Sequence, residues 1–282
     1  MKKKFLVTGA GGYIGRYVVK ELIDKEQDVF AADLCLQKVD DYAKKVTLDI
    51  FEDDTELFEK LGSPEICIHL AWKDGFVHNS EEHMKNIYKH IKFINYLVEK
   101  GLKQIVVLGT MHEIGYHEGV VDETTSCNPV NQYGIAKNAL RQSLFCTFSK
   151  QNIIFQWIRA FYIYGDDKNN HSIFTKIYES ANKGNKSFPF VTGNNKFDFI
   201  RIDELANQIV SVALQDKIDG IINCCSGKPV SLREMVEKYI EDNNLDIELN
   251  YGAFPDRPYD SPIIYGSNKK INDILQQLKG SE

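Results

Sequence analysis

The chain has 282 residues and a formal net charge of −6, with 43% hydrophobic and 26% charged residues. This balance is typical of a globular protein with room for one large α/β domain or two smaller ones. The net negative charge offers no global attraction to nucleic acid, and no apolar stretch is long enough to cross a membrane. We therefore predict neither nucleic acid nor membrane as a partner.

The N-terminus has a basic opening without a long apolar run, so no signal peptide is expected. The six cysteines form no C-x-x-C pair, and most of them lie in apolar segments. Reduced thiols in a cytoplasmic protein, with no metal site, are the prediction from this pattern.

Apolar strands alternate with amphipathic helices over the first 165 residues. "KFLVTGA", "DVFAADL", "KKVTLDI", "EICIHLAW", "KQIVVLGT" and "IIFQWIRAF" have the pattern of strands. Helical spacing appears in residues 13–26 and 81–100, in "DTELFEKLG", and in residues 133–150. This alternation predicts a Rossmann-like, doubly wound parallel sheet in an α/β fold.

The remaining residues, 166–282, predict a smaller C-terminal α/β lobe that partly returns to the main sheet. Polar loops surround a helix at about 171–183, and "DELANQIVSVALQ" and "SLREMVEKYIEDN" also predict helices. Ser231 and Glu234 have the spacing of a capping box at the start of the last one. "GIINCCSG" predicts a strand.

A glycine-rich turn, "VTGAGGYIG", joins the first strand to the first helix. Gly9 suits a tight turn, Gly12 suits close approach of a pyrophosphate, and Gly15 suits packing of the helix against the strand. The helix N-terminus would then face the phosphates of a dinucleotide. Asp33 ends the second strand, where a carboxylate binds ribose hydroxyls and repels a 2′-phosphate, so NAD(H) is favoured and NADP(H) is the alternative.

In "YGIAK", Tyr133 and Lys137 lie four residues apart and therefore on one face of a helix. Taken alone, the pair is compatible with an ordinary amphipathic helix. With the glycine turn it also suits a proton-transferring phenol beside an ammonium that lowers the phenol's pKa.

In sequence order, the motifs resemble those of the extended short-chain dehydrogenase/reductase family, the NAD-dependent epimerases and dehydratases that modify nucleotide sugars. The resemblance covers nearly the whole chain. "TGAGGYIG", "TLDI", "HLAW", "NIYKHIKFINYL", "VVLGTMHEIG", "YGIAK", "WIRAFYIYG", "KFDFIRIDELA", "NCCSGKPVSLREM" and "PDRPYDSP" each match a family segment.

The resemblance implies a catalytic set and a cofactor site. Thr110 would bind the substrate oxygen, Tyr133 would transfer the proton, and Lys137 would also hold the nicotinamide ribose. The implied cofactor contacts are Gly9, Gly12, Tyr13, Ile14, Gly15, Asp33, Asp49, Ile50, Leu70, Ala71, Trp72, Asn86, Tyr133 and Lys137.

The implied substrate is a nucleotide-diphosphate sugar in the C-terminal lobe, with Arg257 as a phosphate clamp. Phe197 stands where the family has a second clamp arginine, so either Arg201 or Lys196 substitutes for it or the contact with the pyrophosphate is weaker. Tyr162 stands where the family has Asn. His112 is either a substrate contact, or an extra acid, or a packed neighbour of the strand end.

The reaction predicted first is 4-keto reduction of a nucleotide-linked 4-keto-6-deoxy sugar, with dTDP as the expected nucleotide. Dehydration is disfavoured because Met111 and His112 replace the two acid/base carboxylates of the dehydratases, and Glu113 comes one place late. A nucleotide-sugar 4-epimerase and a non-catalytic dinucleotide sensor remain as alternatives. The family also implies a homodimer through helices 81–100 and 133–150.

Overall fold

A computed structural model describes residues 2–165, 172–256 and 260–280 of the chain. The strands are, in order, β1 (Lys4–Thr8), β2 (Asp28–Asp33), β3 (Lys44–Thr47), β4 (Ile66–His69), β5 (Gln104–Thr110), β6 (Gly119–Val121), β7 (Ile154–Ala160), β8 (Tyr162–Tyr164), β9 (Ser187–Pro189), β10 (Lys196–Arg201), β11 (Gly220–Cys224), β12 (Pro229–Ser231), β13 (Glu248–Asn250) and β14 (Ile263–Gly266). The helices are α1 (Gly15–Asp24), α2 (Leu57–Lys60), α3 (Glu82–Glu99), α4 (Gln132–Phe148), α5 (Ile173–Asn182), α6 (Ile202–Leu214), α7 (Leu232–Asp242) and α8 (Lys269–Lys279).

The main sheet of the described chain has seven strands in the spatial order β11-β7-β5-β4-β1-β2-β3, and every pairing is parallel. The strand order reverses between β1 and β4. Ligands of doubly wound sheets bind at the carboxyl ends of the strands beside such a reversal. The predicted Rossmann-like α/β fold is confirmed.

Helices cover both faces of the main sheet. On one face α1, α6 and α8 bury a core that includes Val18, Leu205 and Ile271. On the other, α2, α3 and α4 pack over Leu97 and Trp157. Burial on both faces explains why these strands are almost continuously apolar rather than alternating.

A smaller lobe has its own apolar core and a second sheet in the order β12-β10-β14-β6, with β8 beside β10. Strand β11 belongs to the C-terminal part of the sequence but pairs with β7 in the main sheet. The division into a cofactor domain 1–165 and a substrate lobe 166–282 stays a prediction.

The long elements lie where the sequence patterns predict them, with differences of a few residues at their ends. The capping box at α7 is present, because Ser231 Oγ accepts from the Glu234 N–H at 3.1 Å and Glu234 Oε2 accepts from the Ser231 N–H at 3.0 Å. The helix predicted in "DTELFEKLG" is a single turn, α2. The sequence patterns do not predict β10, β14 or α8.

Among the helices of the described chain, none has both the length and the apolar character that crossing a membrane requires.

Candidate active site

The glycine turn lies at the carboxyl end of β1, against the loop that follows β4. Gly9 has a φ of +68°, and a Cβ there would come within 2.6 Å of the Ala71 nitrogen. At Gly15 a Cβ would come within 2.1 Å of the Gly9 carbonyl oxygen. At Gly12 the nearest atom would be the Gly9 oxygen at 3.2 Å, so this position is not filled by the protein itself.

These features fit a dinucleotide. Within the described chain no side chain caps the N-terminus of α1, and its first turn contains no acidic residue. The positive end of the helix dipole is therefore left for an anion, beside a glycine whose surface is open.

Gly11 has a role that the sequence patterns do not predict. Its N–H donates to Asp33 Oδ2 at 2.9 Å, and a Cβ on it would come within 1.8 Å of the Cys35 carbonyl oxygen. Asp33 also accepts from the Leu34 N–H at 2.6 Å through Oδ1. Two backbone donors thus fix the carboxylate at the end of β2, next to the glycine turn.

We predict that Asp33→Asn raises the affinity for NADPH relative to NADH by about tenfold, which is roughly 1.4 kcal/mol. The amide keeps an acceptor for the Gly11 N–H but no longer repels a 2′-phosphate. The measurement is titration of both cofactors by fluorescence. Asp24→Asn makes the same change at the far end of α1 and should leave the ratio unchanged. An unchanged ratio in Asp33→Asn would contradict the assignment.

The other predicted cofactor residues follow the same edge of the sheet. Leu70 and Ala71 come directly after β4, and the Leu70 N–H donates to the Thr8 carbonyl at 3.1 Å. The Tyr13 hydroxyl donates to the Gly165 carbonyl. The remaining residues of this set contact other parts of the protein. Ile14 and Ile50 pack in the two cores. The Asp49 carboxylate accepts from the Phe51 N–H, and the Asn86 side chain donates to the Glu82 carbonyl on the same helix, α3.

A chain of buried histidines supports Trp72, and the sequence patterns do not predict it. Thr8 Oγ1 hydrogen-bonds His69 Nδ1 at 2.8 Å, and His69 Nε2 hydrogen-bonds His90 Nδ1 at 2.9 Å. Trp72 stacks on His90 at a centroid distance of 4.6 Å. Burial lowers the pKa of His69 to about 3, so this imidazole is neutral at physiological pH.

Trp72 is also fixed from its other side, because its Nε1 donates to His83 Nδ1 at 3.0 Å. The ring lies under the Lys137 ammonium, with Nζ 3.8 Å from the ring centroid. This is a cation–π contact at the centre of the predicted site. The sequence could not predict that these histidines form a cluster, because they lie on separate elements and their spacing matches no motif.

Tyr133 lies in the first turn of α4, and its phenol lies beside the Thr110 side chain at the end of β5. Asn131 caps this helix by accepting from the Gly134 N–H at 2.8 Å. The Tyr133 N–H donates to the carbonyl of His78 at 2.9 Å, and the two rings stack. The structure therefore brings Thr110 and Tyr133 together, as predicted from the motifs.

Lys137 is almost completely buried one turn after Tyr133. Its Nζ donates to the Leu108 carbonyl at 2.6 Å, and burial lowers its pKa to about 7. The prediction that Lys137 lowers the pKa of Tyr133 is wrong for this structure. Burial raises the pKa of Tyr133 above its ordinary value, against the opposing effect of the Thr110 hydrogen bond. The phenol is therefore neutral at pH 7, the form that donates a proton.

His112 borders the same phenol on the side of the smaller lobe. Its ring centroid is 6.0 Å from Tyr133, 4.5 Å from His78 and 6.3 Å from Tyr162. Burial, with His78 beside it, lowers the pKa of His112 to about 3. A neutral imidazole can accept or donate a hydrogen bond here but carries no charge to a phosphate.

Of the two arginines predicted to bind phosphate, the structure describes Arg201, and its partner is Asp203 rather than a residue of this cluster. Arg201 is exposed and makes a bidentate pair with Asp203, with both distances 3.0 Å. Phe197 is buried against Tyr162 at a centroid distance of 4.4 Å. Arg257 lies outside the described residues.

Comparisons with known proteins agree with this geometry. The sequence profile described as "NAD dependent epimerase/dehydratase family" matches residues 5–225. The chain belongs to this family and is an NAD-dependent enzyme, with NAD as the favoured cofactor.

Two curated relatives and one solved structure illustrate the match. The chain is 43% identical to a dTDP-6-deoxy-L-talose 4-dehydrogenase (NAD(+)) of Aggregatibacter actinomycetemcomitans, over 93% of this chain and 98% of the relative. It is 23% identical to a dTDP-4-dehydro-6-deoxyglucose reductase of Escherichia coli, over 98% and 91%. A UDP-N-acetylglucosamine 4-epimerase structure from Methanobrevibacter ruminantium M1 superposes with a TM-score of 0.84 at 20% identity, covering 97% and 92%, which shows a shared fold.

Proposed function

We propose that the protein interconverts a hydroxyl and a ketone at C4 of a nucleotide-linked 6-deoxy sugar, with dTDP as the nucleotide and 4-keto reduction as the working direction. The observation that carries the proposal is the placing of Thr110 beside the buried Tyr133 phenol, with Lys137 one helical turn away and held by Leu108 and Trp72. The relative at 43% identity supports both the sugar class and the redox chemistry.

In this proposal Thr110 holds the C4 oxygen and Tyr133 transfers the proton to or from it. Because burial keeps the phenol protonated, Tyr133 is prepared to donate to a ketone oxygen, as general acid catalysis requires. Lys137 is held by Leu108 and Trp72 and would hold the ribose of the cofactor. NAD(H), when bound, supplies or accepts the hydride.

Dehydration is disfavoured by the surroundings of Glu113. This carboxylate is completely buried behind Thr110 and accepts from the Thr110 N–H and the Trp157 ring N–H. Glu113 therefore does not replace the acid and base carboxylates that the dehydratases have at the positions of Met111 and His112. A C4 redox step needs neither of those groups.

The substrate's sugar is proposed to lie between Tyr133 and the smaller lobe, where His112 and Tyr162 border the phenol. Arg257, and Arg201 after exchange of its Asp203 partner, are proposed to bind the diphosphate.

We also propose a cytoplasmic homodimer built from α3 and α4. Met84 and Tyr88 on α3 and Ile135 on α4 are apolar and exposed, with Tyr88 at 72% exposure. The two helices pack on each other, so these side chains can form one surface for a second copy.

The test is to supply dTDP-4-keto-6-deoxy sugars with NADH and follow the near-ultraviolet absorbance of NADH. We expect stoichiometric oxidation of NADH and formation of the C4 alcohol. An epimerase, supplied with the corresponding C4 alcohol and NAD, would instead invert the configuration at C4 with no net change in absorbance. A non-catalytic sensor would bind NADH and leave the sugar unchanged. Either of these two results would overturn the proposal.

A further inference from the structure

Glu113 is a buried carboxylate that the proposed chemistry does not use. It has no exposed surface and follows the catalytic Thr110 by three residues. Its Oε1 accepts from the Thr110 N–H at 2.9 Å, and Trp157 Nε1 donates to Oε1 and Oε2 at 2.9 and 3.1 Å. Burying a carboxylate costs free energy unless donors or cations compensate its charge, so the groups around Glu113 decide whether it is ionised.

Two guanidinium groups face the same carboxylate. Glu113 Oε2 is 3.3 Å from Arg141 Nε on α4 and 3.6 Å from Arg159 Nε on β7. Every described group that contacts the carboxylate is thus a donor or a cation. A protonated carboxyl would need an acceptor for its own hydrogen, so these surroundings select the ionised form even though burial raises the pKa of Glu113.

The neighbouring sequence is adapted to this arrangement. A Cβ on Gly109 would come within 2.2 Å of Trp157 Nε1 and 2.5 Å of Glu113 Oε1. The glycine before Thr110 is therefore needed for the hydrogen bond between Glu113 and Trp157. These contacts join β5, α4 and β7 directly behind the catalytic strand end.

The carboxylate is also linked to the catalytic helix by position. Tyr133, Lys137 and Arg141 follow one another at intervals of four and so share one face of α4. Glu113 Oε2 lies 3.3 Å from Arg141 Nε, and Glu113 Oε1 accepts from the N–H of Thr110, whose side chain lies beside the Tyr133 phenol.

We propose that Glu113 is a positioning residue for the proposed reaction: its carboxylate fixes the Thr110 backbone so that the hydroxyl meets Tyr133, and its negative charge favours the ammonium form of Lys137. The inference rests on the proposed function for the roles of Thr110 and Tyr133. Its electrostatic part concerns only groups within this chain.

The charges around Lys137 support the second half of the proposal. His69 on β4 and His90 on α3 face it from the other side, and burial lowers the pKa of both imidazoles, leaving them neutral at pH 7. Tyr133, on the same helix face, is also neutral. Among the described residues that shift the pKa of Lys137, Glu113 is the carboxylate, and it opposes the lowering caused by burial.

The test uses protein labelled with ¹³C at lysine Cε and follows the titration of Lys137 by NMR, with its resonance assigned through Lys137→Arg. This readout needs no substrate. We expect Glu113→Gln to lower the pKa of Lys137 below the starting value of about 7, and Arg141→Gln to raise it. Arg141 is 14% exposed and its replacement is the milder change, so it carries the test if Glu113→Gln does not fold.

Glu113→Asp separates positioning from charge. The shorter side chain keeps the charge but withdraws from the Thr110 N–H, so we expect a near-normal Lys137 titration and a loss of turnover of about tenfold. Leu144→Ala, in the apolar core under α4, is the control for simple loss of packing and should lower thermal stability without shifting the titration. A Lys137 titration that is unchanged in Arg141→Gln and in any folded Glu113→Gln would overturn the inference. Absence of turnover in the wild type would instead refute the proposed function.

Discussion

Replacing Tyr133 by phenylalanine is expected to lower turnover by about 10³-fold while the affinity for NADH stays within about twofold. The ring still packs against His78 and Trp72, so the helix start and the neighbouring side chains keep their places. What is lost is the buried, protonated hydroxyl beside Thr110 that we propose as the proton donor to the substrate oxygen. The measurement is kcat with a dTDP-4-keto-6-deoxy sugar beside a fluorescence titration with NADH.

Tyr42→Phe is the matched control, because it removes the same hydroxyl from a side chain that is 86% exposed. That variant should have wild-type turnover. If Tyr133→Phe retained more than about a tenth of the activity, another group would have to be the acid, and His112 would be the first to examine.

Replacing Lys137 by methionine is expected to abolish turnover and, at the same time, to stabilise the folded protein at about pH 6. The pKa of Lys137 falls from its ordinary value of 10.5 to about 7 because the ammonium is buried. At about 1.4 kcal/mol per unit, this corresponds to roughly 5 kcal/mol of unfavourable free energy at low pH. Loss of the hydrogen-bond partner of the Leu108 carbonyl costs roughly 1–3 kcal/mol, so we expect a net stabilisation of roughly 2–4 kcal/mol.

The sign depends on pH. Between about pH 7 and 10.5 the unfolded chain binds a proton at Lys137 that the folded protein does not, so the stability contributed by this group rises with pH in that window. The free energy of unfolding of the wild type therefore increases as pH rises, and Lys137→Met should no longer be the more stable protein by about pH 9. Urea denaturation at the two pH values measures it.

Lys92→Met is the control, since Lys92 pairs with Asp53 at the surface and its replacement should change stability little at either pH. A Lys137→Met protein that is less stable than the wild type by the same amount at both pH values would show that the lysine is not held against its own charge.

Local spacing carries much of the fold and part of the site. The glycine turn, Asp33 and the Tyr133–Lys137 pair could be predicted because each lies within one strand–turn–helix unit or one helix face. The three-residue strands such as β6 and β8 could not, since a segment that short shows no period and is held by partners distant in sequence.

The remaining parts of the site depend on contacts between distant segments. His69 on β4 meets His90 on α3, and Trp157 on β7 reaches Glu113 just beyond the end of the neighbouring strand β5. The direction of the Tyr133 pKa was predicted wrongly for a related reason. The sequence gives the distance to an ammonium along a helix, but the degree of burial that outweighs it is a property of the folded chain.

In the proposed reaction, hydride passes between C4 of a nucleotide-linked sugar and the nicotinamide of a cofactor bound beside Tyr133. This transfer can be followed by mass spectrometry of the cofactor after incubation with NAD and dTDP-6-deoxy-talose carrying deuterium at C4. We expect deuterium in the NADH formed by the wild type and none with Tyr133→Phe. Deuterium that stayed on the sugar, or was lost to water, with the wild-type protein would contradict it.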